Sequence, residues 1–234
     1  MGNVNIVEQI VSLVGLLVIV FFAYRIYKKL SEKPKMWKVL VVTWVGLFAF
    51  SFNLPMFGNM VKIPVLPLGV WILYAIFRKK EEQWQIYRRF AWVGFFANFL
   101  FIITTLVSVP INELIYPENE PSSHISTIEH ASIIHIHPSA EKSSLNKDRL
   151  TKELGRLKEE PVRGHDWYYE TDKYNQDKEV IERFPYQLVG FKPKWGSDLN
   201  AIVYIEKDGK GLLLTTSTKQ FYFRSEHSLI KEGN

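Results

Sequence analysis

The stretch Val39–Val61, VLVVTWVGLFAFSFNLPMFGNMV, contains no ionisable side chain in 23 residues, and this property decides the fold class. Phe90–Asn112, FAWVGFFANFLFIITTLVSVPIN, is equally long and equally uncharged. As a helix that rises 1.5 Å per residue, each stretch would measure about 35 Å, which exceeds the roughly 30 Å hydrocarbon core of a bilayer. Gln9–Tyr24 is a third uncharged run, and it reaches span length when it is extended back to Ile6. The sequence therefore predicts an integral membrane protein.

A fourth span is predicted over Ile63–Phe77, although this uncharged run is only 15 residues long and contains Pro64 and Pro67. The prolines would fall in the first helical turn, where a missing N–H group costs little. The predicted fold class is a membrane α-helical protein with four transmembrane helices and a small α+β C-terminal domain. The transmembrane region is predicted to be 1–112, with spans at about 6–24, 39–57, 61–77 and 90–109.

Basic residues are concentrated in two of the loops between these spans. Six Lys and Arg residues lie between Arg25 and Lys38, and five lie between Arg78 and Arg89, whereas the opposite side has only Lys62 in its N-terminal nine residues, its loop and the segment from Pro110 to Glu141. Cytoplasmic loops of membrane proteins carry an excess of Lys and Arg. The sequence therefore predicts a multi-pass protein of the cell membrane, with the lipid bilayer as a partner and with both termini outside the cytoplasm.

The overall charge of +5 and the pI of about 9.2 come from these loops rather than from a basic surface on a folded domain. Up to Val109 there are twelve basic residues against four acids, and from Pro110 onward there are seventeen against twenty. A nucleic-acid-binding domain would need its basic residues together on one face. Nucleic acid is therefore excluded as a partner, and the absence of cysteine excludes disulfides and thiolate chemistry.

No ionisable residue lies at the centre of a predicted span, where ion pumps and proton relays need one. Asn53 and Asn98 are the polar candidates in the spans. The amide of Asn98 would hydrogen-bond a neighbouring helix, or the two asparagines would line the polar path of a small transporter or channel subunit. The sequence alone leaves both interpretations open.

Residues 113–142 are predicted to form an extracytoplasmic linker, because they are rich in Pro and Ser and show no sustained strand pattern. His130, His135 and His137 lie within this segment. His135 and His137 would point to one face of an extended backbone, and His130 would complete three nitrogen ligands for a metal. The alternative is a short helix that leaves these histidines solvated. The segment has no H-E-x-x-H motif and no fourth ligand, so no cofactor is predicted.

Residues 143–234 are predicted to form an extracytoplasmic α+β domain. Its first element is an amphipathic helix over Asn146–Glu160, in which Leu150, Leu154 and Leu157 share one face. Four strand-like runs follow, and the Asp208-Gly209 turn between two of them is typical of a tight hairpin in an antiparallel meander. The runs are Tyr186–Phe191, Ala201–Glu206, Leu212–Thr216 and Gln220–Phe223. Alternation places on the inward face Val203, Ile205, Leu212, Leu214, Phe221 and Phe223.

The sequence favours a function without catalysis. It has no nucleophile elbow, phosphate-binding loop or dinucleotide-binding glycine motif, and His165-Asp166 and Gly196-Ser197-Asp198 are isolated pieces of a hydrolase triad. Twelve aromatic residues between Pro161 and Lys231 would build either the domain core or a surface for glycan or peptide. The leading hypothesis is a membrane-anchored extracytoplasmic binding or sensory and regulatory module, whose partner is a protein or cell-surface ligand. The alternatives are a small transporter or channel subunit and a membrane-bound surface hydrolase.

Overall fold

The computed structural model describes residues 4–56, 59–167 and 182–232. The chain combines α-helices with antiparallel β-sheets, so its fold is α+β. It divides into two compact units, of which the first is Ile6–Leu114 and the second contains the residues from Ile115 onward. Helices and strands occur in both units, so the N-terminal half is not helical throughout.

The N-terminal unit contains two helices that are long and apolar enough to cross a bilayer. Most of the apolar part of each helix is exposed, since only 17% of the residues in one and 33% in the other are buried. These helices, of 23 and 35 residues, coincide with the predicted spans 6–24 and 90–109. The elements of this part of the chain are α1 (Ile6–Lys28), α2 (Met36–Gly46), β1 (Phe50–Met56), β2 (Asn59–Leu66), α3 (Leu68–Phe77) and α4 (Glu81–Ile115).

The predicted helical spans 39–57 and 61–77 are wrong. Helices α2 and α3 have 11 and 10 residues, which correspond to about 15 Å each, or half of the hydrocarbon core. Strands β1 and β2 lie between them and form an antiparallel hairpin. The prediction failed because an uncharged apolar run fits a helix and a buried strand equally well, and Pro55 and Pro64 favour the extended form.

Helices α2, α3 and α4 meet at three glycines, Gly46, Gly69 and Gly94. A Cβ atom added to any of them would overlap a backbone carbonyl oxygen of a neighbouring helix, which for Gly94 is that of Thr43. The N–H of Gly69 also donates to the carbonyl oxygen of Phe48 at 2.7 Å. Small residues that let backbones approach closely are typical of helix packing in membranes.

The C-terminal unit contains the elements α5 (Pro121–His124), β3 (Ser132–His135), β4 (Ser143–Leu145), α6 (Lys147–Glu153), β5 (Lys158–Glu160), β6 (Tyr186–Val189), β7 (Ile202–Ile205), β8 (Gly211–Thr215), β9 (Gln220–Arg224) and β10 (Ile230–Glu232). It is built around a six-stranded antiparallel sheet with the strand order β3-β6-β7-β8-β9-β5, and a second sheet pairs β10 with β4. The predicted meander is confirmed, because consecutive strands from β6 to β9 pair as neighbours.

The predicted inward face of the meander lies in the core. Its side chains at 203, 205, 212, 214 and 223 are at most 2% exposed, and Phe221 packs against them. Leu150 of α6 is buried in the same core, and Asn146 caps the helix by accepting a hydrogen bond from the N–H of Arg149. The Asp208-Gly209 turn joins β7 to β8 as predicted, with Gly209 at φ +72°.

Two parts of the domain differ from the sequence prediction. The helix predicted over Asn146–Glu160 ends at Glu153, and Lys158–Glu160 pairs with β9 as strand β5. Residues 113–142 contribute strand β3 to the edge of the sheet, together with Ile125 and Ala131 to its core. Both differences have the same physical cause. Strands β3 and β5 are short, and each is stabilised by pairing with a strand that is distant in the sequence, so the local sequence pattern does not reveal it.

Different turns lie at the two ends of the six-stranded sheet. The end at which the chain arrives from α4, here called the entry end, has the turns at 190–201 and 216–219 and the segment 116–127. Thr127 bridges to Lys192 there, and Lys219 lies 3.9 Å from Glu118. The opposite end, here called the far end, has the turns at 206–210 and 225–228. The sheet therefore separates these two groups of turns by the length of its strands.

Candidate binding cleft

A buried carboxylate organises the far end of the sheet. Glu206 follows β7 and is only 6% exposed. Its side chain accepts a hydrogen bond from the Tyr222 hydroxyl at 2.6 Å, and it forms ion pairs with Arg183 at 2.7 Å and Arg224 at 2.5 Å. Burying a carboxylate is costly unless it is paired and hydrogen-bonded. The two guanidinium groups and the hydroxyl meet this requirement.

The cluster extends outward through Arg224, which also contacts Asp208 at 2.7 Å. The hydrogen bond to Tyr222, and then the contacts with Asp208, raise the pKa of Arg224. Burial, more than any partner, raises the pKa of Tyr222. Tyr222 is therefore a protonated hydrogen-bond donor at neutral pH, and the cluster is a fixed network rather than a source of a catalytic base.

Arg183 connects this network to a cleft on the same sheet face. Its guanidinium carbon lies 4.9 Å from the ring centroid of Trp167, a cation–π distance. The Trp167 ring packs edge-on against Phe184 and Tyr222. Within the described part of the chain, the cleft has a volume of about 310 Å³. Its lining includes Glu160, Arg163, Asp166, Trp167, Arg183 and Tyr222.

The cleft offers a mixed set of groups to a ligand. The carboxylates of Glu160 and Asp166 accept hydrogen bonds, the guanidinium of Arg163 donates them, and Trp167 supplies an aromatic wall. Its volume lies at the small end of the range of ligand pockets. The arrangement suits a small polar ligand that presents both hydroxyl groups and C–H surface.

The triad pieces named from the sequence have different roles. Ser197 is buried, and its hydroxyl donates to the carbonyl oxygen of Lys194 at 2.7 Å. The neighbouring Gly196 and Asp198 have φ values of +82° and +55°, so this segment is a tight turn. Asp166 lies in the wall of the cleft. A nucleophile that is buried and hydrogen-bonded to its own turn is poorly placed to attack a substrate.

A second cluster of triad residue types was not expected from the sequence. The hydroxyl of Ser225 donates to Glu153 at 2.9 Å, and Nδ1 of His227 lies 3.4 Å from the other oxygen of the same carboxylate. The hydrogen bond from Ser225 is the main cause that lowers the pKa of Glu153. In a hydrolase triad the histidine contacts the nucleophile, whereas here Glu153 lies between the two. The cluster therefore fixes the 225–228 turn onto α6.

The three candidate metal ligands lie in or beside β3. His130 is exposed, the ring of His135 packs against Tyr186, and Nδ1 of His137 is 2.8 Å from the hydroxyl of Ser139. Among the described residues, no group of three His, Cys, Asp or Glu is arranged to hold a metal ion. The buried histidine is instead His124, whose pKa is lowered by burial.

Of the two candidate asparagines, Asn53 and Asn98, only Asn98 lines the cleft that the structure describes beside the hairpin. The Nδ2 group of Asn98 donates to the carbonyl oxygens of Leu47, at 3.1 Å, and Phe95, at 3.0 Å. Leu47 follows α2, so Asn98 satisfies one of the helix-end carbonyls that lack an intrahelical partner. Asn98 does border a cleft of about 400 Å³ beside the hairpin. Asn53 lies on the hairpin opposite Lys62.

Comparisons with protein-family models, curated proteins and solved structures found no match to this chain. The Glu206 cluster could not be found from the sequence, because Arg183 and Arg224 are distant from Glu206 along the chain. The only feature of the sequence that pointed to this region was its high content of aromatic residues, one of which is Trp167.

Proposed function

We propose that this chain is a membrane-anchored module whose C-terminal domain binds a ligand outside the cytoplasm without catalysing a reaction. The observation that supports this proposal is the cleft beside Trp167, in which hydrogen-bond donors and acceptors surround an aromatic wall. Arg183 and Tyr222, which line the cleft, are held by the paired Glu206 network, so a ligand would meet one wall that is already formed. Preformed sites bind at a lower ordering cost.

The proposed ligand class is a neutral or weakly charged glycan. The carboxylates and the guanidinium of the cleft lining match the donors and acceptors of sugar hydroxyl groups. Trp167 would pack against the apolar face of a sugar ring. A strongly anionic ligand fits less well, because Glu160 and Asp166 would repel it. A peptide is the alternative ligand, and it would be distinguished by the binding experiment below.

The proposed location outside the cytoplasm follows from the basic loops together with the hairpin. Antiparallel strands turn the chain back, so α2 and α3 enter and leave from the same side. The number of crossings is then even whether or not the hairpin reaches the far surface. Within the described chain the hairpin is a two-stranded sheet with open edges, and open edges are not tolerated in contact with lipid tails. We therefore place it where water or protein covers it.

The proposal is tested with the full-length protein in lipid nanodiscs on an array of neutral oligosaccharides and short peptides. We expect oligosaccharides to bind, and we expect Arg163→Ala to weaken binding at least about tenfold, a change that corresponds to about 1.4 kcal/mol. Arg156→Ala is the matched control, because Arg156 is also an exposed arginine but does not line the cleft. Binding of peptides alone, or equal effects of the two variants, would contradict the glycan proposal.

A further inference from the structure

Trp195 lies at the entry end of the sheet and is 84% exposed, the highest value among the large apolar side chains that the structure describes. Single exposed apolar residues are common and need no explanation on their own. A tryptophan is different, because its indole ring is large and carries one N–H donor. It is therefore enriched where one side of the environment is apolar and the other is wet.

The turn that carries Trp195 is held firmly by the domain. The N–H of Lys192 donates to the carbonyl oxygen of Thr127 at 2.9 Å, and the N–H of Lys194 donates to that of Ser123 at 3.0 Å. Gly196, which follows the tryptophan, is buried and adopts φ +82°. The ring is thus presented to the outside by a fixed backbone, and its exposure follows from the fold of the domain.

This turn lies close to the point at which the chain leaves α4. The hydroxyl of Tyr116 donates to the carbonyl oxygen of Trp195 at 3.1 Å, and Tyr116 is the residue that follows the last residue of α4. The uncharged run of α4 ends at Asn112. Tyr116 is therefore four residues, or about 6 Å at the helical rise, beyond the hydrocarbon-length run. That distance corresponds to the headgroup region of a bilayer.

The charges around Trp195 are mixed. Lys192 and Lys194 both precede Trp195 in the sequence, while Glu118 is engaged by Lys219 at 3.9 Å. Lysine side chains near a membrane surface reach toward lipid phosphates. Glu120 and Asp198 are also exposed at this end and oppose that attraction. The tryptophan, rather than net charge, is therefore the main contact.

We propose that Trp195, together with the preceding Lys192 and Lys194, inserts into the headgroup layer of the bilayer and docks the entry end of the domain on the lipid surface. Tryptophan is enriched at this depth in membrane proteins. The occupant of this surface is thus lipid headgroups. The inference depends on α4 spanning the bilayer, and it is independent of the glycan cleft, which includes residues of a different part of the sheet.

The test uses the full-length protein in nanodiscs of phosphatidylcholine and phosphatidylglycerol. The chain has no cysteine, so Pro193→Cys and Glu226→Cys each introduce one site for a spin label and leave Trp195 in place. Pro193 is partly exposed and lies two residues before Trp195 in the same turn, whereas Glu226 is exposed and lies at the far end of the sheet. Oxygen concentrates in lipid and a nickel chelate remains in water. We expect the label at position 193 to have a severalfold higher ratio of oxygen to nickel accessibility than the label at position 226.

Further variants test the groups that make the contact. Combined with the label at position 193, Trp195→Ala and Lys192→Glu should each lower the accessibility ratio, whereas Lys210→Glu, in the far-end turn, should leave it unchanged. Equal, water-like ratios at positions 193 and 226 would overturn the proposal, and so would a ratio at position 193 that Trp195→Ala leaves unchanged. It would also be overturned if the label at position 193 were water-exposed in nanodiscs and became immobilised only after addition of a solubilised membrane extract, because the surface would then bind protein.

Discussion

The two units of this chain arrange large and small side chains in opposite ways. In the N-terminal unit, Leu40 and Trp44 are more than 60% exposed, while the helices touch through glycines such as Gly46 and Gly94. In the C-terminal domain the bulky residues fill the interior, and the Leu214 side chain is fully buried. Lipid supplies no hydrophobic force between helices, so close backbone packing has to hold them together, whereas water drives large side chains inward. The two units should therefore fail under different substitutions.

The largest effect is expected for Gly94→Val in the helix junction. Its side chain would overlap the carbonyl oxygen of Thr43 and the backbone of Gly46, and overpacking against backbone costs about 3 kcal/mol or more because backbone cannot move aside. The measurement is the thermal stability of the detergent-solubilised protein by size-exclusion chromatography. Gly155→Val is the control, since nothing lies within 4 Å of its Cβ position. Equal stability of the two variants would show that the helices do not meet at Gly94.

A slightly smaller effect is expected for Glu206→Gln in the far-end cluster. The substitution leaves Arg183 and Arg224 without their shared counter-charge, and breaking a buried pair costs about 3 kcal/mol. Glu226→Gln is the matched control, because Glu226 pairs with Lys158 on the open surface, where such a pair contributes less than about 1 kcal/mol. Denaturant unfolding followed by tryptophan fluorescence gives both values. A Glu206 variant as stable as the control would rule out the network as a support of the cleft.

Gly209→Val should cost about 2 kcal/mol, since a β-branched residue is strained at φ +72° and its Cβ would meet Ser228 and Ile230. Lys210→Val, one residue further along the same turn, should change stability by less than about 0.5 kcal/mol. The same unfolding experiment compares them. Unfolding of the two variants at the same denaturant concentration would show that Gly209 is not the strained position of the β7–β8 turn.

The smallest effect is a dependence on pH that comes from His124. Burial lowers the pKa of this histidine below its ordinary value of 6.5, so the folded domain binds fewer protons than the unfolded chain. Stability is then complete above about pH 6.5 and falls as the pH decreases below it. The carboxyl of Glu153, whose pKa is also lowered, adds a loss only below its ordinary value of 4.5.

The measurement is the denaturant midpoint between about pH 7.5 and 5.5, a range in which histidine titrates and Glu153 does not. The His124→Gln variant should lose most of the decrease in stability on acidification. His227→Gln, which replaces an exposed histidine, should keep it. An unchanged decrease in the His124 variant would assign the pH dependence to another group.

The sequence predicted those features that depend on local patterns. Alternation in the C-terminal half placed Val203 and Leu214 correctly in the core, because one face of an antiparallel sheet is buried. Uncharged length located α1 and α4. The same criterion could not separate helix from strand over Phe50–Leu66, since in an apolar run both conformations satisfy it.

The candidate site could be predicted only in part. The aromatic density pointed to the region of Trp167, but the partners of Glu206 are separated from it along the chain and are joined only by the sheet register. One of the two interpretations of Asn98, a hydrogen bond to a neighbouring helix, agrees with the structure. The acceptor itself, the carbonyl oxygen of Leu47, could not be predicted, because hydrophobicity does not reveal where α2 ends. Contacts of this kind follow from tertiary packing rather than from sequence spacing.

The measurement that tests the proposed topology most directly is cysteine labelling of intact cells with a membrane-impermeant maleimide. Ser31 lies in the first basic loop and Ser217 in the turn between β8 and β9, and both are exposed. With an even number of crossings and cytoplasmic basic loops, Ser217→Cys should react in intact cells, and Ser31→Cys should react only after permeabilisation. Reaction of Ser31→Cys but not of Ser217→Cys in intact cells would place the C-terminal domain in the cytoplasm and contradict an extracytoplasmic binding function.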